Sequence, residues 1–297
     1  MKPYFSIIIP TYNRCNLVKK CIISLKKQSF SNWECIIIND GSTDNTESEI
    51  PELIKHDPRF IYINQTNLER AISRNNGAKK STGKYLIFLD SDDYFEDDHL
   101  LNLNQQIVID GERKALYFTN GKIIKDNNIE IIVKSKLPSK LPIDYFLNNS
   151  VVPARVCLHN EIFIHFNFDP TTIVVEDTVL WTEIMEKFPI VYLTISSVNY
   201  HWHGDNSVNI EKYNAYLQRL NGLKVLFYKK NVGKIISRKI KRKHLNRCYF
   251  GIADFYHFNN NKCKAIWWLI KSIIKYPELD LKHKLVRLTF FFKFASK

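Results

Sequence analysis

The chain has 297 residues, 45% of them apolar and 25% charged, and a formal net charge of +13. That length and apolar content suit a globular protein with a full core, built as one large domain or as a domain with an appendage. Six scattered cysteines with no CxxC pair indicate reduced thiols in a cytosolic protein rather than a disulfide framework, and no apolar run approaches the ~18 residues of a membrane span.

The first predicted element is a strand over Phe5–Ile9. The apolar run there is too short for a signal peptide and ends in Pro10. Leu17, Cys21, Ile22 and Leu25 recur among lysines as one apolar stripe, which predicts a helix. Cys35–Ile38 is a second strand. A helix over 44–56 follows, with Thr43 or Asp44 as its cap. Phe60–Ile63 is a third strand, Arg70–Lys80 a third helix and Tyr85–Leu89 a fourth strand. Strand–helix alternation at this spacing predicts βαβ units and a mostly parallel sheet. Further on, 97–109 reads as a helix and 115–119 as a strand. Residues 121–150 read as irregular, with Pro138 and Pro142. A helix opens near Val174, 190–200 reads as one strand, and the chain looks helical from Glu211.

Polar residues cluster where the strands end. Tyr85–Leu89 stops in Asp90-Ser91-Asp92-Asp93. Adjacent carboxylates repel and raise one another's pKa, so a cation normally compensates them, and hard oxygen ligands suit Mg²⁺ or Mn²⁺. A cap for the next helix needs one carboxylate, not three. The carboxyl ends of strands are also where open α/β sheets bind ligands. Pro10-Thr11-Tyr12-Asn13-Arg14 follows the first strand, where Tyr12 can stack on a base and Arg14 can meet a phosphate or cap a helix. Asn39-Asp40-Gly41-Ser42-Thr43-Asp44 follows the second, and Asp40 can accept from a base or a ribose; ordinary turn chemistry accounts for the same residues. Arg70 and Arg74 are one helical turn apart and can grip a diphosphate. Asp177 stands four residues before Trp181, and a carboxylate beside an indole can act as a base. Acidic residues also favour a helix start on electrostatic grounds alone. His201 and His203 alternate on one strand face, and either a metal ligand or a hydrogen-bonded strand-end histidine fits them.

Taken in order, these segments resemble the family 2 glycosyltransferases of the GT-A fold. The matching residues are Ile9-Pro-Thr-Tyr-Asn-Arg14, Asn39-Asp-Gly-Ser-Thr-Asp44, Arg74-Asn75-x-Gly77, Gly83–Asp93 and Glu176-Asp177. The resemblance is dense over 4–94, sparse to about 208, and absent beyond. It implies an α/β GT-A domain over 1–208, with a nucleotide-binding half (1–95) and an acceptor half (96–208); beyond it, 209–297 reads from its own residues as a basic, mainly helical region. It implies an inverting transferase that moves a sugar from a nucleotide-sugar, commonly a UDP-sugar, to a hydroxyl of a glycan or lipid-linked acceptor in cell-surface polysaccharide synthesis. Pro10, Tyr12 and Arg14 would line the nucleotide pocket, Asp40 would read the base, and Arg74 and Asn75 would secure the donor. Asp90 would approach the ribose and Asp92 would ligate Mn²⁺ or Mg²⁺. Asp177 would be the catalytic base, with Glu176 orienting metal or acceptor. Two departures stand out. His203 takes the place of the family's arginine after the base, as a candidate third metal ligand, and Glu69 takes the place of a glycine before the Arg-Asn pair. Asp93 is left with a capping or acceptor-side role.

The charge is uneven. Residues 210–297 hold 21 Lys and Arg against 4 Asp and Glu (+17), and residues 1–209 hold 22 against 26 (−4). Lysines interleaved with Ile266-Trp267-Trp268 and Phe290-Phe291-Phe292 suit an anionic membrane surface, which would place a cytoplasmic enzyme on the inner face of the membrane. A cap packed on the sheet domain with solvated lysines is the compatible alternative. No nucleic-acid-binding module is recognisable. Two other function classes remain: a nucleotidyltransferase, which would carry a Gly-rich basic loop after strand one, and a non-catalytic homologue acting as a binding subunit.

Overall fold

The structure is a computed structural model and describes residues 2–125, 128–132, 143–149, 151–202 and 215–293. It divides into two compact units: Met1–Pro170 with Leu180–His203, and Thr171–Val179 with Gly204–Lys297. The boundary expected near residue 208 lies outside the described residues.

The first unit is a layered α/β domain. Its early strands are β1 (Phe5–Thr11), β2 (Trp33–Asp40), β3 (Phe60–Gln65) and β4 (Tyr85–Phe88), separated by α1 (Cys15–Lys26), α2 (Thr46–Ile54) and α3 (Arg70–Lys80). β1, β2 and β4 are buried at every position, as the unbroken Ile-rich runs predict for strands covered on both faces. On one face Ile7 and Ile9 pack with Val18, Cys21, Ile22 and Leu25 of α1. On the other, Ile8 and Ile38 meet Gly77 of α3. After these come β5 (Tyr94–Phe95), α4 (His99–Ile109), β6 (Leu116–Thr119), β7 (Gly121–Lys125), β8 (Asn128–Ile132), α5 (Ile143–Asn148), β9 (Val156–His159), α6 (Asn160–His165), α7 (Glu176–Lys187), β10 (Ile190–Leu193) and β11 (Val198–His201).

The main sheet runs β10-β6-β9-β4-β1-β2-β3. β1 pairs in parallel with both β2 and β4, β2 with β3, and β10 with β6. β9 is antiparallel to β4 and β6, so it alone of the seven runs backwards. A second sheet runs β5-β11-β7-β8.

Two expectations are corrected, and one strand had no expectation. The segment 121–150 contains the antiparallel pair β7–β8 and the short α5. The stretch 190–200 is two strands in two sheets: β10 joins β6, and β11 joins β5 and β7. β9 carries no alternating pattern, because Val156, Cys157, Leu158 and His159 are all buried; it lies between β4 and β6.

In the second unit α8 (Ala215–Tyr228), α9 (Arg238–Phe258), α10 (Lys262–Lys275) and α11 (Leu281–Lys293) follow one another. Ser237 caps α9 by accepting from the Ile240 amide at 3.3 Å, and Asn261 caps α10 by accepting from the Lys264 amide at 3.2 Å. Buried Lys284 donates to the Ser272 and Tyr276 carbonyls at 3.1 and 2.6 Å, tying α11 to the end of α10. All six cysteines are free, and only Cys263 is exposed.

Candidate active site

The site grows from the carboxyl ends of β1, β2 and β4. Two loops are stitched together over the first pair. The Asn13 amide donates to Ser42 Oγ at 2.9 Å, and Asn13 Oδ1 accepts from the Thr43 amide at 2.7 Å. The Cys15 amide donates to Asp44 Oδ2 at 3.1 Å. Asn13 has φ 52°, a left-handed conformation that asparagine tolerates. Gly41 has φ 75°, and a Cβ there would lie 2.9 Å from the Asn67 amide nitrogen, so the loop needs glycine. Asp40 is buried, and its Oδ1 accepts from Gln65 Nε2 at 2.6 Å and the Leu68 amide at 2.9 Å. Pro10 is buried beneath this loop pair, whereas Tyr12 is 46% exposed, its ring open to a stacking partner.

The carboxylate turn is braced by two arginines, one just before α1 and one within α3. Arg14 Nη1 donates to Asp92 Oδ2 at 2.7 Å. Arg74, 2% exposed, forms an ion pair with Asp90 and lies over the Phe168 ring at 5.1 Å. Asn75 clamps the same loop twice: Nδ2 donates to the Phe168 carbonyl at 2.8 Å, and Oδ1 accepts from the Phe168 amide at 3.0 Å. So Arg74 and Asn75 here hold protein groups, and Asp90 and Asp92 each hold a guanidinium. Phe168 was not legible as a site residue. Its only sequence signal is a cluster of phenylalanines, and it packs edge-on to Phe88 and Trp181.

Asp93 corrects an expectation. It is 1% exposed, and its Oδ1 accepts from the His201 amide at 3.2 Å, so it neither caps α4 nor faces an acceptor. Burial pushes its carboxyl well above the usual range, and the charges of Asp92 and Asp90 add to the rise. Beneath the turn the Cys21 thiol donates to the Asp93 carbonyl at 2.7 Å. Burial, with the same carboxylates, holds that thiol protonated. Asp92 also lines a cavity of about 800 Å³ with Tyr94, Lys122 and His201.

Glu176 and Asp177 belong to the second unit, at the start of α7. Both are buried, and Asp177 Oδ1 accepts from the Thr178 amide at 2.5 Å. Two residues earlier Val174 has φ 73°. A β-branched residue in that region is a genuine outlier, of the kind that collects at functional sites. His203 lies outside the described residues. Glu69, where the family resemblance places glycine, has φ 73° and ψ 156°, a conformation that glycine adopts readily and glutamate does not.

Known proteins share the family pattern and the fold of this chain. Residues 6–148 match the family described as Glycosyl transferase family 2. Glycosyltransferase GlyA of Streptococcus pneumoniae is 38% identical over 103 residues, which is 35% of this chain and 15% of that protein. The chain therefore spans a small part of such relatives. The putative teichuronic acid biosynthesis glycosyltransferase TuaG of Bacillus subtilis is 26% identical over 217 residues, covering 72% of this chain and 84% of TuaG. Among solved structures, S. aureus TarS 1-349 in complex with UDP-GlcNAc superposes with a TM-score of 0.62 at 19% identity, covering 92% of this chain and 81% of that one. The mannosyltransferase PcManGT of Pyrobaculum calidifontis, in complex with GDP-Man and Mn2+, gives 0.61 at 13% identity, covering 100% and 81%. At those identities the two structures establish the shared fold.

Proposed function

Residues 6–148 form a family 2 glycosyltransferase domain, and on that premise we propose that the chain transfers a sugar from a nucleotide-sugar, a UDP-sugar, to an acceptor hydroxyl. The acceptor is a glycan or a lipid-linked sugar of cell-surface polysaccharide synthesis, the setting named for TuaG. The observation that carries this reading is the carboxylate turn at the sheet's ligand-binding edge, with Asp90 and Asp92 held by arginines.

Each residue has a task in this reaction. The stitched loops seat the nucleoside: Tyr12 stacks on the base, and Asp40 accepts from it. Asp90, held in place by Arg74, meets the ribose. Asp92 suits a divalent cation shared with the donor. Its side chain is 7% exposed and already needs a positive partner, which Arg14 supplies. Among the described residues no three His, Cys, Asp or Glu side chains converge on one point, and Mg²⁺ typically takes one or two carboxylates and completes its shell with phosphates and water. When bound, Mn²⁺ or Mg²⁺ would stabilise the departing diphosphate. Asp177 takes the proton of the attacking hydroxyl, with Glu176 beside it. The hydroxyl attacks the anomeric carbon opposite the diphosphate and inverts its configuration.

The test is nucleotide release from a panel of nucleotide-sugars, with Mn²⁺ and a candidate acceptor. Asp177→Asn should lower turnover at least about a thousandfold, within the range of general-base and positioning losses combined, while nucleotide binding by calorimetry persists. Turnover near that of the parent would sink the assignment. Binding of every nucleotide-sugar without transfer would favour a non-catalytic homologue.

The second unit suits peripheral attachment to the cytoplasmic face of the membrane. Trp267, Ile270 and Ile274 are exposed on α10 at 50%, 40% and 72%, spaced three and four residues apart as one stripe. Lys271 lies 3.5 Å from the Trp267 ring centroid. Among the described residues no helix is long and apolar enough to cross a membrane. Sedimentation with anionic liposomes checks this, and Trp267→Asp/Ile270→Asp should abolish it.

A further inference from the structure

A concavity in the helical unit, distant in sequence from every motif above, collects an unusual amount of positive charge. Arg238, Lys241 and Arg242 from the start of α9 line it, together with Lys275 at the end of α10. Tyr228, Leu245 and Tyr276 complete the wall, and the cavity holds about 440 Å³. That volume lies within the range of small-ligand sites and is ample for a phosphoryl or diphosphoryl group.

Two of the cations are held against the cavity's tyrosines. Lys241 lies over the Tyr228 ring at 5.5 Å, and Arg242 over the Tyr276 ring at 5.1 Å. Arg242 also donates through Nη2 to the Lys275 carbonyl at 3.1 Å and through Nε to Glu278 at 2.7 Å. Those bonds fix the guanidinium plane and cost the side chain its freedom before any ligand arrives. Glu278 offsets one of the four charges and leaves a net excess of three on the lining. Position adds to the cost: the first turn of α9 contains no acidic residue, so its cations oppose the helix dipole as well as one another. Four cations on the lining of one hollow, from two helices, repel one another, and an anion between them relieves that repulsion.

We propose that this cavity is a phosphate-binding site, taking a phosphoryl or diphosphoryl group between Arg238, Lys241, Arg242 and Lys275. The tyrosine walls leave room for an organic substituent on that group. Two sources share the chemistry: the headgroup of a membrane lipid, and a phosphate carried by a soluble molecule. The inference does not depend on the transferase assignment, since none of these residues belongs to the carboxylate site.

Hydrogen–deuterium exchange on the full chain tests it. Sodium pyrophosphate is the soluble probe, with EDTA present to suppress binding at the carboxylate turn, and sodium chloride at matched ionic strength is the control. Vesicles of phosphatidylglycerol, compared with phosphatidylcholine, are the second probe. Peptides over 238–245 and 274–278 should exchange at least about fivefold more slowly with one probe or both. In Arg238→Gln/Lys241→Gln, one change exposed and the other half-buried, the affinity should fall about tenfold or more, since each 1.4 kcal/mol of lost charge-assisted contact is a factor of ten. Lys275→Gln serves should the double variant misfold. Protection by pyrophosphate assigns a soluble phosphate, and protection by phosphatidylglycerol alone assigns a headgroup. The proposal is overturned by no protection from either probe, by equal protection from chloride, by protection confined to other peptides, or by full binding in the variants.

Discussion

Replacing Gly77 by alanine tests how closely α3 must approach the sheet. A Cβ at position 77 would lie 2.4 Å from Ile8 Cγ2, 3.3 Å from Ile38 Cγ1 and 3.4 Å from Ile8 Cγ1. Real carbon atoms do not approach to 2.4 Å, and Ile8 cannot yield. It is fully buried on β1, a strand paired on both edges, and its branch at Cβ restricts it to few rotamers. The helix must lift by about 1 Å to restore ordinary contact distances. Overpacking of this kind costs about 1–3 kcal/mol, and alanine returns about 1 kcal/mol of helix propensity over glycine. The balance is a loss of up to about 2 kcal/mol, equivalent to up to about 4–8 °C in Tm for a unit of about 200 residues. Urea unfolding followed by near-ultraviolet circular dichroism reads it as a lower midpoint. Transfer should fall further than stability, because Arg74 is one turn away on the same helix and would be drawn from Asp90. A midpoint equal to or above that of the parent would refute the close-packing argument.

Other consequences are open to measurement. Glu69→Gly should stabilise the first unit by about 0.5–1.5 kcal/mol, the relief of backbone strain less the entropy of glycine, and a lower denaturation midpoint would contradict it. Arg14→Gln removes the cation from Asp92; with Arg14 30% exposed, the cost is discounted to about 1–2 kcal/mol. Mn²⁺ should then raise Tm more in that variant than in the parent, and equal shifts would count against a cation at Asp92. His99 is buried against Phe95, and Nδ1 bonds Ser197 Oγ at 2.8 Å. Burial lowers its pKa from 6.5 to about 3. The unfolded chain therefore takes up a proton below 6.5 that the folded chain refuses. Stability is complete above pH 6.5 and falls as pH drops toward 3, by at most about 1.4 kcal/mol per pH unit. His99→Gln should flatten the decline between pH 6.5 and 5, and an unchanged slope would exclude His99 as its source.

The parallel core was legible because its strands are local hydrophobic runs. Ile7-Ile8-Ile9 and Ile36-Ile37-Ile38 form fully buried strands, with helical stripes between them. β9 was not, since four buried residues without alternation look alike as strand or loop. Strand 190–200 was over-read for a similar reason: the break at 194–197 comes from two sheets competing for its halves.

The site divides in the same way. Sequence by itself determined which side chains stand at the strand ends, because a strand that stops in Asp90-Ser91-Asp92-Asp93 puts its carboxylates at the sheet edge wherever that strand is buried. Tertiary structure alone decided their partners. Arg14 reaches Asp92 across 78 residues, Arg74 reaches Asp90 from α3, and Asn75 clamps Phe168 across 93. It also turned Asp93 inward to the His201 amide, 108 residues on. Chain periodicity reports which face of an element is apolar. It carries no information on which distant charge will neutralise a buried carboxylate, because that depends on the distances set when the layers close.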